Sequence, residues 1–199
     1  MQTLWPLFGI QANQAELRQH EWLNSTQALH MEIGFGMGHS LVQMAQQNPH
    51  ICYFGIEVHS PGVGHILRQL HQLAISNVRI FHADVAQVLP LCPPACLDRV
   101  YLLFPDPWPK KRHLKRRLVQ IEFIQLLASR MRPQGKIHLA TDSKEYAQHM
   151  QAVAAKAGLQ VRTNSAHPNL KNQRPGTKYA LRAARLGNPV WDIEIRVSA

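Results

Sequence analysis

Glu32-Ile33-Gly34-Phe35-Gly36-Met37-Gly38 is the stretch on which the fold turns. It follows residues 28–33, an apolar run that reads as a strand. It precedes residues 39–47, where Leu41, Met44 and Ala45 share one helical face. A strand that breaks at closely spaced glycines and restarts as a helix reads as the first turn of a ligand-binding sheet. Glycine lets the backbone approach a ligand and take positive φ without a Cβ clash. The spacing is G-x-G-x-G, so the third glycine comes one residue too early for the dinucleotide fingerprint. Glu32, two residues ahead of the first glycine, suits a cationic ligand rather than a pyrophosphate. Both features argue against a nicotinamide-dependent oxidoreductase.

Working outward, residues 12–23 read as a helix, and 51–57 (ICYFGIE) as a strand covered on both faces. A helix over 61–74 begins at a proline, and 78–82 is a strand. Residues 99–104 form another buried strand, stopped by Pro105, Pro107 and Pro109. Then come a helix over 117–131, a turn at 133–135 and a strand over 136–140. A helix over 143–157 is capped by Ser143 or Asp142 and stopped by Gly158. The last strands are 159–162 and 190–197. This alternation predicts an α/β sheet with helices on both faces. Ligands of such sheets lie outside the carboxyl ends of the strands. An acid stands at each of the five: Glu32, Glu57, Asp84, Asp106 and Asp142. A single aspartate there is commonly a cap or turn residue, which explains five of five poorly. Glu57 is placed to accept both hydroxyls of a ribose, and Asp84 to accept from an adenine amino group.

The chain has 199 residues, the length of one domain. We divide it into a lead-in (1–27), a cofactor-binding core (28–163) and a substrate loop with the last strand (164–199). The formal net charge is +10, which points to an anionic partner. The charge is local. Residues 110–136 carry nine Lys/Arg and one acid, residues 162–185 carry six and none, and the remainder is net −4. A small-molecule enzyme has no use for two such blocks. No run approaches the ~20 apolar residues of a membrane span. MQTLWPLFGI lacks the basic start and small-residue cleavage site of a signal peptide. Cys52, Cys92 and Cys96 read as reduced thiols, and without further ligands at suitable spacing no metal site is expected. A cytoplasmic location follows from these readings. The chain is expected to be a monomer or a homodimer.

The run E-x-G-x-G-x-G, with Glu57 and then Ala83-Asp84, resembles class I methyltransferases, which use S-adenosylmethionine. The segment Phe104-Pro105-Asp106-Pro107-Trp108-Pro109-Lys110-Lys111-Arg112-His113, continued by Leu114-Lys115-Arg116-Arg117, sharpens this. It resembles the signature of bacterial tRNA (guanine-N7)-methyltransferases. Leu4-Trp5-Pro6, Thr141-Asp142, Arg174-Pro175-Gly176-Thr177-Lys178-Tyr179 and Val190-Trp191-Asp192 extend the likeness over nearly the whole chain. The resemblance implies a Rossmann-like, mostly parallel seven-stranded sheet with an antiparallel C-terminal strand. It implies methyl transfer from S-adenosylmethionine to guanine N7 in the variable loop of tRNA, at position 46 of the standard scheme. By the same resemblance, Glu32, Gly34, Gly36, Gly38, Glu57, Asp84 and Asp106 bind the cofactor, and Asp106 is catalytic. Lys110, Asp142, Thr177, Lys178 and Tyr179 bind the guanosine. Arg112, His113, Leu114, Lys115, Arg116 and Arg117 contact the RNA. Trp108 either stacks on a base or anchors its loop.

Two departures stand out. Ala180 replaces the family's usual Glu, and Ala183 its usual Gly, which raises a weakened or non-catalytic tRNA-binding relative as the alternative. The N-terminus is also short for the family, which implies somewhat weaker tRNA binding.

Overall fold

The computed structural model describes residues 3–23, 25–165 and 176–197. Among these, the sheet strands are β1 (Leu29–Ile33), β2 (Cys52–Glu57), β3 (Val78–His82), β4 (Leu97–Leu103), β5 (Met131–Thr141), β6 (Gln160–Ser165) and β7 (Trp191–Arg196). They form one sheet in the order β3-β2-β1-β4-β5-β7-β6. The pairs β1–β2, β2–β3, β1–β4 and β4–β5 are parallel. β7 runs antiparallel to both β5 and β6, as the C-terminal strand was expected to. The order reverses between β1 and β4, so the crevice of the sheet opens there.

The helices are α1 (Trp5–Phe8), α2 (Gln14–Gln19), α3 (His39–Gln47), α4 (Ser60–Gln72), α5 (Val85–Val88), α6 (Ile121–Arg130), α7 (Lys144–Lys156) and α8 (Lys178–Arg185). Side chains along β2, β3 and β4 alternate between two separate cores. Tyr53, Ile80, Tyr101 and Leu103 pack with Leu41 and Met44 of α3 and with Ile66, Leu67 and Leu70 of α4. Met31, Phe54, Phe81, Val100 and Leu102 pack with Ile124 and Leu127 of α6 and with Tyr146, Met150 and Val153 of α7. A sheet covered on both faces requires continuous apolar strands, and β2 is buried at every position.

Three expectations shift. The turn at 133–135 is a bulge inside β5: Leu97 pairs with Met131 and Arg99 with Lys136, and Gln134 takes φ +66. The helix expected from 117 starts at Ile121, because Arg117 is extended and Gln120 bonds back to the carbonyls of Leu114 and Arg117. The helix over 12–23 splits into α2 and a 3-10 turn, Glu21–Leu23. Helices α1, α5 and α8 were not anticipated.

Candidate active site

The first βα turn is tied to the sheet by the Gly34 N–H on Ile56 O at 2.8 Å. Gly34 and Gly36 take φ +71 and +59, and a Cβ on either would point into open space, so the turn presents bare backbone to the cleft. Gly38 serves packing instead, since its Cβ would meet Ile66 of α4 at 2.6 Å. Gly62 is tighter still: a Cβ there would lie 2.1 Å from Gly36 O. The start of α4 therefore backs directly onto the glycine turn.

Glu32 is 2% exposed at the end of β1. The Ser40 hydroxyl, on the first turn of α3, donates to its Oε1, while Oε2 is buried without a partner. Burial, with a smaller contribution from the Glu57 charge, pushes its carboxyl up to about 7. This acid awaits a donor or a cation. It lines a small cavity of about 40 Å³ together with Gly34, Gly36, Ser40, Thr177 and Tyr179.

Glu57 ends β2. Its Oε2 accepts from Gly36 N at 2.7 Å, and its Oε1 accepts from Val58 N at 2.8 Å and His59 N at 2.9 Å. Two backbone bonds fill Oε1, so as folded the carboxylate has room for one hydroxyl, on Oε2, rather than for two. Asp84 caps α5 by accepting from Ala86 N at 2.8 Å, and the residue is exposed. The cap occupies one carboxylate oxygen and leaves the residue on the lining of the cleft.

Asp106 is exposed in the loop after β4. Glu57, Asp84 and Asp106 line one cleft of about 460 Å³, with Gly34, Gly36, Trp108, Arg116 and Tyr179 completing its rim. That volume is ordinary for a small-molecule site. The sheet thus brings the acids that follow or end β2, β3 and β4 to one cleft, while Glu32 of β1 lines the small cavity that shares Gly34, Gly36 and Tyr179 with it. Asp142 does not join them: it is exposed beyond β5 and outside the cleft lining, while Ser143, not Asp142, caps α7 by accepting from Tyr146 N at 3.3 Å.

Residues Lys111–Arg116 form a 3-10 helix that displays Lys111, Arg112, Lys115 and Arg116 to solvent, beside the exposed Lys110. Arg116 lies 5.0 Å over the Trp108 ring, and His113 meets that ring edge-on. Trp108 is therefore both a cleft wall and a loop anchor. Arg117 departs from the expectation of RNA contact. It is 3% exposed, and its guanidinium turns inward to Pro107 O and Glu145, so it is absent from the basic surface.

Thr177 caps α8, accepting from Ala180 N at 3.0 Å, and Tyr179 stacks on Phe104 with ring centroids 6.0 Å apart. The second basic block is partly helical, with Arg182 and Arg185 exposed on α8. Arg174 and Pro175 of the late motif lie outside the described residues, as does the side chain of Lys178. Ser40 and Gly62 were missed by sequence reasoning, and Glu145 belongs to the family likeness, where Thr141-Asp142 precedes a helix carrying Glu145-Tyr146, but was given no role. Of the first two, only Ser40 had a signal, a hydroxyl two residues past the last glycine.

Comparison with known proteins gives the family and the fold likeness. The family model described as "Putative methyltransferase" matches residues 26–193. The tRNA (guanine-N(7)-)-methyltransferase of Marinobacter nauticus is 41% identical over 192 residues, covering 95% of this chain and 81% of the relative. The enzyme of that name from Nitrosospira multiformis is 41% identical over 196 residues, covering 98% and 86%. Among solved structures, the 16S rRNA methyltransferase KamB superposes with a TM-score of 0.70 at 16% identity, covering 94% of each chain, a likeness of fold. The family model spans most of the chain and these relatives match it over nearly its whole length, and the chain belongs to the tRNA (guanine-N7)-methyltransferase family.

Proposed function

We propose that this protein transfers a methyl group from S-adenosylmethionine to N7 of a guanine in tRNA. The observation that carries the reading is the single cleft that joins Glu57, Asp84 and Asp106 and is rimmed by Arg116 of the basic helix.

The residues present fit the cofactor. The buried, unpartnered Oε2 of Glu32 requires a donor or a cation. The free lone pair on Glu57 Oε2 accepts a ribose hydroxyl, the open oxygen of Asp84 accepts an adenine amino group, and the bare backbone at Gly34 and Gly36 allows close approach. When bound, S-adenosylmethionine supplies an electrophilic methyl on a sulfonium.

Guanine N7 carries an in-plane lone pair and no proton, so the protein has no base to supply. Its task is to position the purine, a contribution of several kcal/mol to lowering the barrier. Asp106 stands exposed at the cleft, available to the guanine N1–H and N2–H edge and to the positive charge that develops on the ring. The Phe104–Tyr179 stack forms an aromatic wall for that ring. Lys110, Lys111, Arg112, Lys115 and Arg116 hold phosphates without reading sequence.

The test is transfer of labelled methyl from S-adenosylmethionine to bulk tRNA, with the modified nucleoside identified after digestion. The expected product is 7-methylguanosine. In the same assay Asp106→Ala abolishes transfer with only a modest loss of tRNA affinity. If labelled tRNA yields a different nucleoside, or Asp106→Ala retains the rate, the reading is wrong.

A further inference from the structure

Arg117 is the one arginine of the basic run that faces inward, and its side chain joins the loop that carries Asp106 to α7. Its Nε donates to Pro107 O at 2.8 Å, one residue past Asp106. Its Nη2 pairs with Glu145 Oε1 at 2.9 Å on α7, and the guanidinium plane lies 5.0 Å from the ring of Tyr146. Tyr146 is fully buried, and its hydroxyl accepts from Val119 N at 3.4 Å. The guanidinium therefore bridges the loop to a helix fixed in the core.

The loop needs such a bridge. Pro105, Pro107 and Pro109 have no N–H to donate. Phe104 and Trp108, on either side of Asp106, hold φ +57 and +40, conformations that non-glycine residues adopt only when neighbours enforce them. The loop is pinned at its start by Phe104 N on Ala140 O at 2.7 Å. Beyond Asp106, the Pro107 carbonyl ties the loop through Arg117 to α7, while Trp108 packs on Arg116 and His113 of the basic helix.

We propose that Arg117, held by Glu145, is a positioning residue: it fixes the Pro107 carbonyl and thereby aims Asp106 at the guanine, and it makes no contact with RNA. This rests on the proposed function above. A planar guanidinium is required because two directed bonds and a stacked face are used at once. A lysine offers the charge without the fork.

The experiment compares wild type, Arg117→Lys and Glu145→Gln in methyl transfer, tRNA affinity as a function of salt, and hydrogen exchange of residues 104–110. Misplacing a reacting group by about 1 Å can cost roughly 100-fold in rate. Arg117→Lys is expected to lower kcat by about 10- to 100-fold while the tRNA Kd moves less than about twofold. Exchange of the loop amides rises, and exchange in α6 and β4 does not. Glu145→Gln, at a mostly exposed side chain, gives the same pattern more weakly. It decides the matter if Arg117→Lys does not fold. A Kd that rises with the kcat loss, with a salt slope smaller by about one, makes Arg117 a phosphate contact and overturns the proposal. Unchanged kcat, or unchanged loop exchange, in a folded variant overturns it as well. Failure of the functional reading shows separately, as the absence of 7-methylguanosine from the wild-type reaction. The exchange measurement still judges the clamp in that event.

Discussion

Replacing Glu32 by Gln sets folding stability against cofactor binding at one buried atom. Burial lifts this carboxyl from its ordinary 4.5 to about 7, with Glu57 adding like charge and the Ser40 hydroxyl opposing. A raised carboxyl pKa means the folded state holds the proton more tightly than the unfolded chain does. Its contribution to stability is therefore fully present below about pH 4.5 and is lost as pH rises through about 7. At 1.36 kcal/mol per pH unit, the loss is about 3 kcal/mol. Gln keeps an oxygen for Ser40 and carries no charge, but its amide N–H groups replace an unpartnered oxygen and cost about 1–2 kcal/mol when unpaired. Relative to wild type, Glu32→Gln is thus expected to be more stable by about 1–2 kcal/mol near pH 8 and less stable by a similar amount near pH 5. Urea unfolding followed by circular dichroism at the two pH values reads this directly. Binding runs the other way. A cationic ligand requires the ionised acid, so wild-type affinity for S-adenosylmethionine falls by about tenfold from about pH 8 to about pH 6. The variant binds weakly, without that pH dependence. A variant less stable than wild type by the same margin at both pH values would refute the reasoning, because Glu32 would then ionise in the fold at no cost.

Three further outcomes are expected. Ala180→Glu completes a capping box with Thr177 at the start of α8, stabilising that helix by about 0.5–1 kcal/mol; urea unfolding measures this, and equal methyl-transfer rates would show that the position has no catalytic consequence. Gly62→Ala drives a Cβ into Gly36 O and should lower stability by about 1–3 kcal/mol and S-adenosylhomocysteine affinity by more than about tenfold; an unchanged titration would show that the glycine turn tolerates displacement. Arg116→Ala should weaken tRNA binding and reduce the slope of log Kd against log salt by about one, whereas an unchanged slope leaves Arg116 only its stack on Trp108.

What the chain discloses before folding depends on whether a residue's role is local. The strands and the acids at their ends were legible because burial on both faces forces unbroken apolar runs, and a ligand crevice collects side chains at their exits. Arg117 was not legible, since one guanidinium in a run of bases carries no mark of facing inward. Only the distant Glu145 and Tyr146 decide that. Helix α8 hid in a block read by its charge, although Thr177 is a cap residue and KYALRAAR holds no helix breaker. Pro133 and Gly135 signal a turn truthfully, but the paired strand on either side makes it a bulge. The backbone partners of Glu57, which bear on its reading as the acceptor of both ribose hydroxyls, were hidden for the same reason. The backbone N–H groups of Val58 and His59 take up Oε1, and no spacing rule foretells that.

The two left-handed residues that flank Asp106 have a thermal consequence. Conformations like those of Phe104 and Trp108 each cost on the order of 1–3 kcal/mol, which the loop's few ties must hold. The centre of the sheet below bears no such load, because β1, β2 and β4 are paired on both sides and mostly buried. Segments with few ties open at a smaller free energy than the whole fold. Warming therefore releases the loop while the sheet is still intact. The working limit of this protein then lies below its melting temperature, and a sample silenced by mild heat regains its rate on cooling without ever having unfolded.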